Sequence, residues 1–297
     1  MSDLLGTREG KVREANSFTH FGQGDGYMTF LFLNTMTKVK DIVRLVEEVA
    51  PLQLQEDYDN AGYQVGDMEN EVTSVVVCLD ITESVVDRAI ELGAGLIISH
   101  HPLLFRPIKR ITPSDYISRT IIKAIKANIT LYSAHTNLDN AYRGVNYRIA
   151  EMLSLEDVTP LAPLPAHRLS GIADAGMTGS GLIGRLPAVC SAVELVATVK
   201  KIFKCESVRT NLNMLSRPSR LIRTLALCGG SGADLISNAE SQNADAYLTG
   251  EIGYHHFFGH DEMLLMEAGH FETEQYTRDL IKDIIEEKLP DISIFII

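Results

Sequence analysis

The chain has 297 residues, 45% hydrophobic and 22% charged, which suits a globular protein with one large or two ordinary cores. Its net charge of −12 argues against nucleic acid or an anionic membrane as a partner. No apolar run approaches the roughly 20 residues that span a bilayer, and the longest, Ser74–Leu79 and Ala94–Ile98, are strand-sized.

Residues 1–35 are rich in Gly, Ser, Asn and charge and show no sustained period; they read as a dispensable leader. A helix pattern opens after Met36, with Val39, Ile42, Val43, Val46 and Val49 in phase over 38–50. Pro51 stops it, and 52–67 reads as a loop holding a short strand. A Val-rich strand follows at 72–80, then a Thr82-capped helix over 83–92 closed by Gly93. Strand 95–99, a Ser114-capped helix over 115–127, strand 129–134 and a helix over 144–153 complete the first half. This alternation predicts an α/β fold with a mostly parallel sheet.

Three prolines in 157–168 and five glycines in 171–184 mark a boundary or a crossing between halves. The expected domains are therefore 36–156 and 157–297. The second half alternates again: strand 181–186, helix 191–204, strands 205–210 and 221–227, helix 232–242, strands 244–249 and 262–268, helix 272–288 and strand 292–297.

Chemistry-bearing residues gather at predicted strand ends. His100 and His101 follow one strand, His135 and Asp139 the next, and His270 a third in the second half. The carboxyl edge of an open α/β sheet is where ligands bind. Imidazole and carboxylate together suit zinc, iron, manganese, cobalt or nickel. His100 and His101 are adjacent, so in extended chain they point to opposite sides and can serve two ions, or one ion only after a turn. His270 and Glu274 share one face of a first helical turn, and Glu274 or Asp139 could bridge two ions. The expected metal ligands are His100, His101, Asp139, His270 and Glu274. Taken singly, each motif is an ordinary loop or helix-surface pattern; their common edge is what raises them.

His135 could ligate, orient a ligand or shuttle protons, and the last two roles are preferred. His255 is a candidate acid/base, whereas His167, His256 and His260 read as structural or exposed. Gly229-Gly230-Ser231-Gly232 could cradle phosphate at a helix start. It lacks a P-loop lysine, and a tight turn capped by Ser231 is the preferred reading. Cys78, Cys190, Cys205 and Cys228 form no CxxC pair and read as reduced core residues. The basic stretches Arg106–Arg110 and Arg217–Arg223 read as solvated loop ends. Without a secretory signal, the default location is cytoplasmic.

Six stretches in order carry a family resemblance: Glu56–Gly62, Ser99–Leu103, His135–Asp139 with Gly144–Asn146, Gly229–Gly232, Leu248–Glu251 and Gly269–Glu274. From about Met36 onward the sequence resembles the Nif-three-like (interacting factor three) proteins, also called GTP cyclohydrolase I type 2 homologues. Tyr58 stands where that family often has Trp, and Glu251 where Asp is usual. The resemblance implies two similar α/β domains with a dinuclear metal site between them, built on the five ligands named above. It also implies a ring-shaped homohexamer, in the short form without an inserted domain.

Two functions follow as expectations. One is a metal-dependent hydrolase acting on GTP, a phosphoester or a cyclic amide, with His135 or His255 moving protons. The other is a non-enzymatic metal-binding regulator or scaffold for a protein partner.

Overall fold

In the computed structural model of the protein, residues 36–217 and 219–297 are described. The expected leader, 1–35, lies outside them. The fold is the compact unit Thr37–Ile297.

The first helix, α1 (Val39–Val49), turns Val39, Ile42, Val43 and Val46 inward at helical spacing. Strands β1 (Gly62–Val65), β2 (Ser74–Cys78), β3 (Leu96–Ser99) and β4 (Thr130–Ser133) alternate with helices α2 (Glu83–Glu91) and α3 (Tyr116–Lys126). The short α4 (Thr136–Asn140) and then α5 (Val145–Met152) follow. Next come β5 (Glu156–Pro163), β6 (Gly179–Ser191), α6 (Ala192–Phe203), β7 (Arg209–Thr210), α7 (Leu212–Leu215) and β8 (Leu221–Cys228). The chain closes with α8 (Ile236–Ser241), β9 (Ala246–Thr249), β10 (Leu264–Glu267), α9 (His270–Glu274), α10 (Thr277–Lys288) and β11 (Ser293–Ile296).

These strands make two sheets, ordered β1-β4-β3-β2-β11 and β5-β6-β8-β9-β10-β7. Only β1 runs antiparallel in the first, whereas the second is parallel only from β8 through β9 to β10. The expected α/β class holds, but the parallel majority belongs to the first sheet alone. The last strand crosses back, with Ser293–Ile296 paired in register with Ser74–Val77.

Strand alternation distributes the core. Val75 and Val77 face a central cluster, which they share with α1, α5, α6 and α10 and with Leu225, Leu227 and Leu248 of the second sheet. Val76 and Cys78 face the other way, under α2 and α3. Tyr247 and Leu265 pack beneath Ile236 and Ala239 of α8 on the far face of the second sheet. A helical layer thus lies between the two sheets, and each apolar side chain buried there contributes about 1.5–3 kcal/mol.

Several local expectations are corrected. The proline-rich 157–168 is no simple crossing, because Glu156–Pro163 forms an edge strand on β6, and an edge tolerates residues that cannot donate to a ladder. Asp115, not Ser114, caps α3, with its Oδ1 accepting the Ser118 amide at 2.9 Å. The helix expected over 272–288 is two helices that break around Gln275 and Tyr276. The strand expected over 205–210 is only Arg209–Thr210. Among the described residues, no helix is long and apolar enough to cross a membrane.

Candidate metal centre

Four histidines cluster because each lies just past a strand or opens a helix beyond one; His101, His135 and His270 line one cavity, and His100 is fully buried beside them. His100 and His101 leave the end of β3, held by their backbone amides on the Cys78 and Leu79 carbonyls. His135 leaves β4 and precedes α4, which carries Asp139. His270 opens α9 after Gly269, and Glu274 ends the same helix. Both come off β10, so strands of both sheets supply the lining. The cavity measures about 940 Å³.

Each of these histidines has its Nδ1 on an acceptor. His100 Nδ1 is 2.8 Å from the Ala134 carbonyl and His101 Nδ1 is 3.0 Å from Asp80 Oδ1. His135 Nδ1 is 2.7 Å from Asp59 Oδ1 and His270 Nδ1 is 3.1 Å from Glu251 Oε1. Carbonyls and ionised carboxylates only accept, so the hydrogen-bonded Nδ1 of His100, His101 and His135 carries the proton. In those three rings Nε2 is thereby left as the atom turned toward the cluster, the arrangement by which metal-ligating histidines are oriented.

Glu274 is the centre of the group. Its Oε1 is 3.6 Å from the Nε2 of His100, which is also 3.6 Å from Asp139 Oδ1. Its Oε2 is 3.0 Å from His101 Nε2 and 2.9 Å from His270 Nε2, which lie 3.2 Å from each other. Two sets of ligand atoms within 4.8 Å of one another could hold a metal ion: His100, His101 and His135, and His101, His270 and Glu274. His100 Nε2 is fully buried without a hydrogen-bond partner, and such an orphaned polar atom calls for an explanation. A cation near it, sharing Asp139 and Glu274, supplies one, since donors on one ion at bonds of about 2.0–2.1 Å lie about 3–3.5 Å apart.

The ion-free electrostatics are those of a site holding protons in place of cations. Burial pushes His101 down, but hydrogen bonds to Asp80 and Glu274 more than offset it, raising the imidazole to about 10. The hydrogen bond to Glu274 likewise raises His270. Burial would raise Glu274, yet the charge of His100 and the bonds from its histidine partners hold it far below the usual carboxylate range. Burial raises Asp139 despite His100. Asp59 is pushed up by burial, but the bond and charge of His135 bring it to about 2. Burial also pushes the Cys228 thiol upward, next to Asp139 and Glu274, so it stays a thiol at the cavity wall.

The backbone is shaped to this cluster. At Gly230, φ is +61° and an added Cβ would lie 2.0 Å from Glu274 Oε1. Three of the loop's four amides are already used: Gly229 on Asn146 Oδ1, Gly230 on Thr273 Oγ1 and Gly232 on Thr249 Oγ1. Asn146 also donates to the Asp139 carbonyl at 3.0 Å, tying α4 to that loop across the cavity. The loop thus makes room for a ligand-bearing side chain.

A model of the Duf34/NIF3 (NGG1p interacting factor 3) family matches residues 37–297. The chain belongs to that family. A "GTP cyclohydrolase 1 type 2 homolog" of Clostridium acetobutylicum is 36% identical over 239 residues, covering 80% of this chain and 85% of that protein. One of the same name from Clostridium perfringens is 33% identical over 262 residues, covering 88% and 95%. Among solved structures, a Bacillus cereus protein related to NIF3 superposes with a TM-score of 0.78 at 25% identity, covering 88% of this chain and 96% of that one.

In this NIF3 fold, His100, His101, Asp139, His270 and Glu274 meet around one point, and His135 joins them. His255 does not: it sits exposed on a short 3-10 turn, Tyr254–Phe257, with its ring against Tyr254 and Phe258 and outside the cavity lining. Sequence reasoning missed three carboxylates that orient the histidines. Asp59 lies inside the Glu56–Gly62 stretch, Asp80 ends a predicted strand, and Glu251 stands where the family usually has Asp. Asp80 had the same signal as the histidines, a polar residue at a strand's carboxyl end. Asp59 had none, because it lies 76 residues from the ring that it holds.

Proposed function

We propose that this chain is a metal-dependent hydrolase with a dinuclear centre. One observation carries the reading: the two oxygens of buried Glu274 face separate ligand groups. Oε1 looks toward His100, whose Nε2 also neighbours Asp139, and Oε2 toward His101 and His270. One ion would be held by His100, Asp139 and Glu274, the other by His101, His270 and Glu274. Divalent ions there would supply Lewis acidity and an acidified water for hydrolysis.

The chain's own residues supply orientation and proton movement. Asp59 is ionised near neutrality and fixes His135 with Nδ1–H turned away, so its basic atom is Nε2. His135 lines the cavity, where a basic nitrogen can take a proton from an attacking water and return it to a leaving group. Asp80 holds the ring of His101 in the same way, and the Glu251 carboxylate lies 3.1 Å from His270 Nδ1. The name shared by the curated relatives, GTP cyclohydrolase 1 type 2 homolog, adds the expectation of a ring-opening hydrolysis.

The test is a hydrolysis screen of protein reloaded with zinc, manganese, iron, cobalt or nickel, run beside His101→Ala and Glu274→Gln. Turnover that needs metal and falls in both variants supports the reading. Variants that lose metal while no loaded form turns over any substrate would leave a metal-binding protein without this activity.

A further inference from the structure

The charge of the cavity narrows what it can accept, on the reading that it is the substrate site. Five carboxylates line it: Glu56, Asp80, Asp139, Asp234 and Glu274. Among the described residues, no lysine or arginine lines it. Arg168 stands 3.8 Å from Glu56 Oε2 and is also tied to the Gln53 carbonyl, and Arg278 lies over the Phe271 ring at 5.7 Å with its own donors on the Gln275 and Ile297 carbonyls. Two divalent ions would bring four positive charges against those five negative ones, so even a loaded cavity has no surplus for a phosphate chain. The glycine-rich loop is a poor substitute, since three of its four amides are bound to Asn146, Thr273 and Thr249. The exposed basic run Arg106–Arg110 follows Phe105 on the outer loop, and none of its side chains lines the cavity.

What the cavity does offer is flat apolar surface. Tyr58, Phe105 and Phe271 line it and are 68%, 42% and 54% exposed. Tyr58 and Phe105 meet edge to face at 6.4 Å. Exposed rings beside a polar floor are stacking surfaces for another planar ring. Glu56 adds an anionic acceptor. Its Oε1 already accepts Asn140 Nδ2 at 2.8 Å and Ser180 Oγ at 2.7 Å, while Oε2 has only the distant Arg168.

We infer that this cavity binds a planar nitrogen heterocycle without a phosphate chain, its ring against the cavity aromatics and a ring N–H or amino group on Glu56. The relevant substrate class is the free base, nucleoside or cyclic amide, and nucleoside triphosphates are disfavoured. Each phosphate would add negative charge to a carboxylate-lined space, whereas a neutral or cationic ring gains a charge-assisted hydrogen bond.

Calorimetric titration of the metal-loaded protein with guanine, guanosine, GMP and GTP, at fixed ionic strength, tests this without requiring turnover. The expected order has guanine or guanosine tightest and GTP weakest. Tyr58→Ala, at an exposed position, should weaken guanosine binding severalfold with melting temperature and metal content unchanged. Glu56→Gln should weaken it about tenfold. Affinity that rises with each phosphate, or GTP binding lost on neutralising Arg106, Lys109 and Arg110, overturns the inference. So does failure of both uncharged compounds to bind. If the expected order holds while no loaded form hydrolyses anything, the hydrolase reading fails and this one stands.

Discussion

Gly230→Ala isolates the contribution of backbone shape to the metal site. At that position φ is +61°, and the new methyl would sit 2.0 Å from Glu274 Oε1, 2.9 Å from its Cδ and 3.3 Å from His270 Nε2. An ordinary carbon–oxygen contact needs about 3.3 Å, so the carboxylate must retreat by roughly 1.3 Å. Metal–ligand distances tolerate about 0.2 Å. Gly93→Ala is the matched control, with φ +64° and nothing within 4 Å of the added Cβ. Both variants bear the left-handed cost of an alanine, about 1–2 kcal/mol, worth a few degrees of melting temperature in a protein of this size. Only Gly230→Ala should also lose metal. The assay is metal content per chain by plasma mass spectrometry after dialysis against a trace of divalent ion, with thermal melts alongside. A Gly230→Ala protein that keeps the full wild-type metal content would refute the placement of Glu274 as a ligand. Equal metal loss in Gly93→Ala would mean that the effect is general destabilisation.

Raising pH should weaken the ion-free protein and strengthen metal uptake. His101 is raised to about 10 from an unfolded value of 6.5, so its contribution to stability is full below pH 6.5 and is lost as pH climbs through 10. Urea melts of ion-free protein from pH 6 to 10 would read the first effect, and calorimetric proton release on zinc binding the second. Asp59→Ala removes the acceptor that fixes His135 and should cost about 10–100-fold in turnover or metal affinity. It should also alter the acidic limb of any pH–rate profile, and an unchanged profile would deny His135 its proposed part. Asp115→Ala, far from the cavity lining, should lower stability by about 1 kcal/mol through loss of the α3 cap, with metal content unaffected in the same mass-spectrometric assay. Removal of residues 1–35 should leave metal content at the wild-type level, and a shift in oligomeric state by light scattering would instead assign them to assembly.

What could be read from the sequence was local and periodic, and what could not was set by contacts between distant segments. The α1 stripe of Val39, Ile42, Val43 and Val46 and the buried runs of β2, β3 and β4 stand out because one period repeats within one segment. Strand ends then located His100, His101, His135 and His270, because a sheet's carboxyl edge delivers polar residues to a common side. The return of β11 to β2 was invisible, since a strand's own pattern does not name its neighbour. His255 illustrates the limit of the strand-end rule. It too follows a strand, β9, but the intervening turn faces it toward Tyr254 and Phe258, away from the ligand group. The orienting carboxylates were hidden for a related reason. A residue that bonds a metal needs a particular side chain, whereas one that holds Nδ1 can be Asp59, Asp80, Glu251 or a bare backbone carbonyl such as that of Ala134. A role that four different chemical sources can fill leaves no spacing rule behind. The ligand set is therefore legible from composition and position, while the set that orients it becomes visible only when the chain is folded.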